Sequence, residues 1–262
     1  MRAAWRLLVL VLLASLALQL YFVGRIALMT VLDPESTAFQ RSEAWLVASS
    51  TGSLKWRQQW VPYASLPDTL KRAVIASEDA SFIDHEGVDV EALEKAWEKN
   101  LRAEQRATPS VNRLDAAKPD DKHGGKLSGR AGNSPVAKPP RIVGGSTITQ
   151  QLAKNLFLSG ERTLLRKGQE LLLTLLLERL LGKQRILEIY LNSVEWGEGV
   201  FGAEAAAQHY YRKPAAKLST YEAARLAVML PRPRYFETRP ASGYVAARAS
   251  TIAARMGGVE LP

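Results

Sequence analysis

From Leu7 to Val23 the chain carries no charged side chain, and only Ser15 and Gln19 are clearly polar. In a helix rising about 1.5 Å per residue, roughly 17–25 such residues cross the hydrocarbon core of a bilayer. Trp5 and Tyr21 stand near the two ends, where amphipathic rings favour the interface, and Arg2 and Arg6 precede the run. These cations favour a cytoplasmic N-terminus over residues 1–6, a transmembrane anchor over residues 7–24 and an exported remainder, although Arg25 weakens the asymmetry. A cleaved signal peptide is the rival reading, because Ala14 to Ala17 offers small residues. The apolar character continues past Ala17 through Leu20, Phe22 and Val23, which favours the anchor.

Composition removes several other classes. The chain has 262 residues and no cysteine, so disulfide scaffolds, thiolate metal sites and a cysteine nucleophile are excluded. His85, His123 and His209 lie far apart in sequence and do not suggest a histidine-rich metal centre. A net charge of +9 asks for an anionic partner. Export argues against nucleic acid and leaves membrane-associated anionic material.

Residues 25–66 read as a connecting segment, with Trp45-Leu46-Val47 and Leu54-Lys55-Trp56 as candidate strands. Residues 67–262 read as a mostly α domain. Leu70, Ala73, Val74 and Ser77 recur at helical spacing, and a second helix is expected from near Val88 through Leu93, Ala96 and Trp97. Residues 102–140 then hold Pro109, Pro119, Pro135, Pro139 and Pro140, many basic groups and hardly any large apolar side chain. That composition predicts a flexible basic insertion, a tether that can also meet anionic lipid. Gly144 to about Leu158 is expected to be helical and closed by Gly160, with Thr163 capping the next helix. The run Leu171–Leu177 is apolar almost all round and so predicts a helix at the centre of a bundle. Further helices are expected over Lys183 to about Asn192, Ala203–Tyr211, from a Ser219/Glu222 capping box to Pro231, and over Val245–Met256. Gly197, Gly199 and Gly202 mark a turn-rich connection between two of them.

Three clusters carry candidate chemistry. Glu78, Asp79, Asp84 and Glu86 crowd the end of an apolar helix, where like charges raise the pKa of at least one member, as suits a general base or acid. A solvated acidic turn explains the same residues, with Phe82 in the core and His85 a hydrogen-bonded structural histidine. Thr147, Gln151 and Lys154 fall at i, i+4 and i+7, a polar stripe ending in a cation, and Gly144-Gly145 leave backbone N–H groups able to meet an anion. An exposed amphipathic helix accounts for these equally. Arg162, Arg166 and Lys167 lie close to Glu170, which abuts the leucine run; the cluster is either a surface ion pair or a phosphate-binding site.

Together the clusters resemble a known family. Glu78-Asp79-x-x-Phe82-x-x-His85-x-Gly87, Gly144 through Asn155, and Arg166-Lys167-x-x-Glu170 are similar to the first three signatures of the peptidoglycan glycosyltransferases. Ile186-Leu187-Glu188-x-Tyr190-Leu191-Asn192 and Gly199-x-x-Gly202-x-Glu204-Ala205-Ala206 resemble the fourth and its continuation. The likeness spans about residues 67–235 in the family's order. No Ser-x-x-Lys or Lys-Thr-Gly occurs, so the chain looks like the monofunctional, biosynthetic branch. The insertion at 102–140 departs from the family, which joins its first two signatures through a shorter segment.

The resemblance implies a lysozyme-like helical glycosyltransferase fold behind an N-terminal transmembrane helix. It also implies polymerisation of lipid II into glycan strands by inverting β-1,4 transfer from an undecaprenyl-pyrophosphate-linked donor. On that basis Glu78 is the base and Glu170 the second carboxylate. Lys154, Arg162 and Arg166 stabilise the leaving pyrophosphate, while Thr147, Gln151 and Asn155 line the substrate site and Asp79, Phe82 and His85 shape it. No cofactor is firmly implied; a divalent cation (Mg or Mn) held by Glu170 is the one candidate. The partners implied are lipid II, the lipid-linked chain, the membrane and other cell-wall synthesis proteins. The location implied is the bacterial cytoplasmic membrane, single-pass, with the domain on the outer, periplasmic side. The alternatives are a lytic transglycosylase or lysozyme-like enzyme that cleaves peptidoglycan with a glutamate acid, and a non-catalytic cell-wall scaffold.

Overall fold

The structure, a computed structural model, describes residues 2–99, 101, 102, 145–158 and 163–262. Residues 103–140 of the insertion, Gly144, Gly160 and Arg162 lie outside the described residues. The chain forms two units, Met1–Val88 with Ser146–Pro262, and Asp89–Gly145. In the second unit residues 90–99 form a helix, α4, begun by the Asp89 carboxylate accepting from the Ala92 amide at 2.7 Å. Against this helix a Cβ on Gly145 would lie 3.3 Å from Ala96 Cβ, so glycine allows the close approach.

The first unit opens with α1, Arg2–Leu28, long and apolar enough to cross a membrane. Its first part is bare and its last part is not. Phe22 and Ile26, with Met29 just beyond, are buried in the core of the domain. Phe22 meets Phe157 edge-on at 5.3 Å.

Two elements lie within residues 25–66. Trp45-Leu46-Val47 is not a strand but part of helix α2, Ala38–Thr51. The cause is local: Thr37 and Gln40 form a reciprocal capping box, and Gly52 ends the helix in the left-handed conformation. Of the three residues only Val47 is buried, as a helical period dictates. Gln40 also donates to the Ser193 carbonyl at 3.0 Å, and α2 packs on α5. The second candidate strand appears just after its expected place, as β1, Arg57–Gln58.

Helix α3, Asp68–Glu78, buries Leu70, Ala73, Val74 and Ile75. Helix α5, Ile148–Phe157, begins later than expected, because Thr147 serves as its cap rather than its first turn. Helix α6, Leu164–Leu180, starts where Thr163 accepts from the Arg166 amide. The expectation of a central helix fails here. Leu173 and Leu177 are fully buried, but Leu171, Leu172 and Leu175 are 43%, 51% and 46% exposed. Only one face of α6 meets the core; another packs on α1, where Gln19 and Gln169 exchange hydrogen bonds of 2.9 and 3.3 Å. Leu171, Leu172 and Leu175 stay partly uncovered by the described residues.

Helix α7, Lys183–Ser193, is buried from Ile186 to Ser193 except at Glu188. Two of its polar groups fasten the chain that precedes α3. Asn192 accepts from the Val61 amide at 2.8 Å and donates to the Val61 carbonyl at 2.9 Å, and Glu188 accepts from the Tyr63 amide at 3.1 Å. A third, Arg185, donates to the Met29 and Leu32 carbonyls at 2.8 and 3.0 Å and pairs with Asp33, so the end of the first helix is held by the domain.

The glycine-rich connection folds as a hairpin of β2, Glu195–Gly197, and β3, Val200–Phe201, with β1 parallel to β3 in the order β1-β3-β2. Helix α8, Ala203–Tyr211, follows, then α9, Thr220–Met229, behind the expected Ser219/Glu222 box. The short α10, Pro233–Glu237, leads to α11, Gly243–Arg255, which packs on α9 and α3.

Gly202 holds φ at +82°, and a Cβ there would sit 2.6 Å from the Asn192 carbonyl oxygen. The Gly202→Ala variant therefore combines backbone strain with a backbone clash, and should lose about 2–4 kcal/mol of stability in denaturant unfolding.

Candidate active site

The site forms where the C-terminus of α3 meets the N-terminus of α5. Asp79, buried, ends α3 and places its two oxygens on different elements. Oδ2 accepts from the Ile148 amide at 2.9 Å, and Oδ1 meets His85 Nε2 at 2.8 Å. The Gly87 amide donates to His85 Nδ1 at 3.1 Å, so Nδ1 is the acceptor and Nε2 carries the proton directed at Asp79. The anion expected at the start of α5 is thus a side chain of the protein itself. Thr147 closes the junction by donating to the Gly87 carbonyl at 2.6 Å. It caps a helix and is not on the polar stripe.

Gly87 permits this turn. Its φ is +88°, and a Cβ would lie 2.7 Å from Thr174 Cγ2 and 2.9 Å from Glu178 Cγ. Phe82 is fully buried, with its ring 4.6 Å from Lys183 Nζ and edge-on to His85. Lys183 donates to the His85 carbonyl at 2.5 Å and pairs with Glu178 at 2.8 Å, and Glu178 accepts from Thr149 at 2.6 Å. Phe82, Asp79 and His85 are therefore framework. Lys183 and Glu178 belong to the same framework, and neither is singled out by the sequence alone.

Glu78, beside Asp79, is partly open to solvent yet crowded by protein on most sides. Burial raises its pKa, outweighing the Gln151 and Ser77 hydrogen bonds that lower it; the neighbouring Asp79 charge adds less. The expected direction is found, but desolvation rather than like charge is the main cause. Gln151 Nε2 donates to Glu78 Oε2 at 3.1 Å, and Tyr190 donates to Gln151 Oε1 at 2.9 Å. Tyr190 was legible only as a motif letter, since nothing local in the sequence links it to Gln151.

Lys154 lies on α5 beyond Gln151. It is exposed, yet desolvation by the surrounding protein lowers its pKa. The Glu170 charge opposes that shift while Arg166 and Lys167 reinforce it, so the four residues share one field. Glu170 is buried, pairs with Arg166 at 3.0 Å, and gives its other oxygen to Lys167. The buried Arg166 Nε has no hydrogen-bond partner among the described residues. Asn155, half-buried, is on the same helix as Lys154. A resident divalent cation does not fit Glu170: both carboxylate oxygens are taken by cations, and no group of three acidic or histidine side chains able to hold a metal occurs among the described residues.

On a largely helical scaffold, the fold thus holds a half-open glutamate of raised pKa at the end of α3 and a lysine–arginine cluster on α5 and α6. The chain belongs to the transglycosylase family, whose family model matches residues 47–108 and 128–257. It is similar to the biosynthetic peptidoglycan transglycosylases of Burkholderia thailandensis and Burkholderia pseudomallei, each 51% identical over 249 residues, covering 95% of this chain and 84% of the relative. That of Burkholderia multivorans is 49% identical over 95% of this chain and 87% of its own.

A carboxyl whose folded pKa is raised costs stability once it ionises, so the cost appears as pH rises through the folded value and is absent below the unfolded one. Glu78→Gln should therefore melt above wild type at pH 7, and this advantage should vanish below about pH 4, where the unfolded glutamate is also protonated. Melting curves across that range check it.

Proposed function

We propose that this chain is a peptidoglycan glycosyltransferase that polymerises lipid II into glycan strands. The observation that carries the reading is the pairing of Glu78 with the Lys154–Arg166 cluster on one helical framework. The acceptor's 4-hydroxyl loses its proton to Glu78 as its oxygen attacks the donor's anomeric carbon. The bond from that carbon to the lipid pyrophosphate breaks on the opposite face, giving a β-1,4 link with inversion. Protein crowding keeps the proton affinity of Glu78 high, which suits a base working near neutral pH. The departing diphosphate gathers charge at Lys154 and at Arg166, whose buried Nε is unmatched within the described protein. Glu170 holds Arg166 in place, and Arg162 joins the cluster by the family resemblance alone. A peptidoglycan-cleaving enzyme releases no phosphate, so the cation cluster favours the synthase.

Helix α1 anchors the enzyme in the cytoplasmic membrane, with Arg2 and Arg6 inside and the domain outside. The uncovered leucines of α6, beside α1, then face the bilayer that holds both substrates. Confinement to that surface raises the effective substrate concentration.

With lipid II in detergent, Glu78→Gln should lower polymer formation by about 10²–10⁴-fold on gels while the fold is kept. Turnover within threefold of wild type would remove Glu78 from the role. Lys154→Ala should lose both turnover and affinity for a pyrophosphate-mimicking inhibitor. Arg166→Lys should be impaired too, because a point charge replaces a fork; unchanged inhibitor affinity in both would remove the cluster from the site.

A further inference from the structure

Where α1 ends, a cavity of about 410 Å³ is bordered by Arg25, Leu28, Leu32, Asp33, Glu35 and Arg41. Its volume is that of a small-ligand cleft. Arg25 is the first charge after the apolar run, which places the cavity at the bilayer–water boundary on the domain side. The lining carries both signs of charge together with apolar side chains. Arg25 is exposed and forms no ion pair among the described residues. Among the described residues Arg41 uses only Nη1, on the Ser36 carbonyl and hydroxyl at 3.1 and 3.0 Å. Of the two acids, Asp33 is engaged by Arg185 at 2.8 Å, whereas Glu35 is exposed and has no ion-pair partner among the described residues. Leu28 and Leu32 are exposed at the same place.

The geometry points to a binding site for the headgroup of a phospholipid bearing a primary ammonium. Guanidinium groups are the natural ligands of phosphate, and Arg25 and Arg41 supply two of them. The ammonium lies against Glu35, and the acyl chains run back into the bilayer along the exposed apolar residues of α1 that precede Arg25, such as Leu18 and Tyr21. A quaternary ammonium has no N–H to give Glu35, and an anionic glycerol headgroup leaves that carboxylate without a cation. The site rests on the reading that α1 crosses the bilayer. Neither arginine belongs to the catalytic machinery.

The test uses the full chain in detergent, titrated with short-chain phosphatidylethanolamine, phosphatidylcholine, phosphatidylglycerol or free phosphoethanolamine, with thermal unfolding as the readout. Phosphatidylethanolamine should raise the melting temperature saturably and more than the other three. Arg25→Gln and Arg41→Gln should each weaken that lipid's apparent affinity by about tenfold, the worth of a charge-assisted hydrogen bond, without changing polymerisation in detergent. Glu35→Gln should erase the preference for ethanolamine over choline. An equal response to all lipids, an equal response to free phosphoethanolamine, an unchanged affinity in the arginine variants, or an ethanolamine preference kept by Glu35→Gln would overturn the site. Carbonate washing of vesicles tests the anchor separately. A protein that washes off has lost the membrane reading itself, whereas one that stays and shows no ethanolamine preference has lost only this site.

Discussion

The Asp79 carboxylate is the joint on which the site depends. One oxygen holds the first turn of α5, and the other holds the imidazole of the turn that follows α3. Residues far apart in sequence are thereby fixed at hydrogen-bond distance. Glu78, the last residue of α3, comes just before Asp79, so its place relative to Gln151 follows from the same joint. The joint is buried, and a buried acceptor that loses one of its donors is costly. This explains why the Gly87 turn, the Thr147 cap and the Lys183–Glu178 brace all converge on it.

Much of this was legible in the sequence, for reasons of range. Caps and turns act over a few residues, so Ser219, Thr163 and the ends of α7 and α8 were found close to where they were expected. Helix α2 shows the same rule from the other side: its Thr37–Gln40 box was present in the letters, but Trp45-Leu46-Val47 suggested β propensity instead. The leucine run of α6 misled because composition states how apolar a helix is and not what covers it. In the site, neighbours on the chain were legible, while Tyr190, Lys183 and Glu178 act through contacts that only the fold creates. The cause of the Glu78 shift was misjudged likewise, since charge is written in the sequence and burial is not.

The first helix is built into the domain rather than hung from it. A mutual amide pair and an aromatic contact join the two along the second half of the helix, and Arg185 grips the carbonyls of Met29 and Leu32 just after it. Amides that satisfy one another suit an apolar setting, where an unpaired one is costly. The orientation of α6, and of the cations on it, is thereby linked to the axis of α1.

Tyr190 has a consequence for the direction of the chemistry. An amide side chain is nearly symmetric and can present either end to its neighbour. The Tyr190 hydroxyl, buried and donating to Oε1, breaks that symmetry and turns the nitrogen of Gln151 toward Glu78. One oxygen of Glu78 is then occupied by a donor, and among the described residues the other meets a long 3.3 Å contact from Ser77. In the base role proposed for Glu78, Oε1 is therefore the oxygen left to take the proton, and it is presented from one side of the carboxylate.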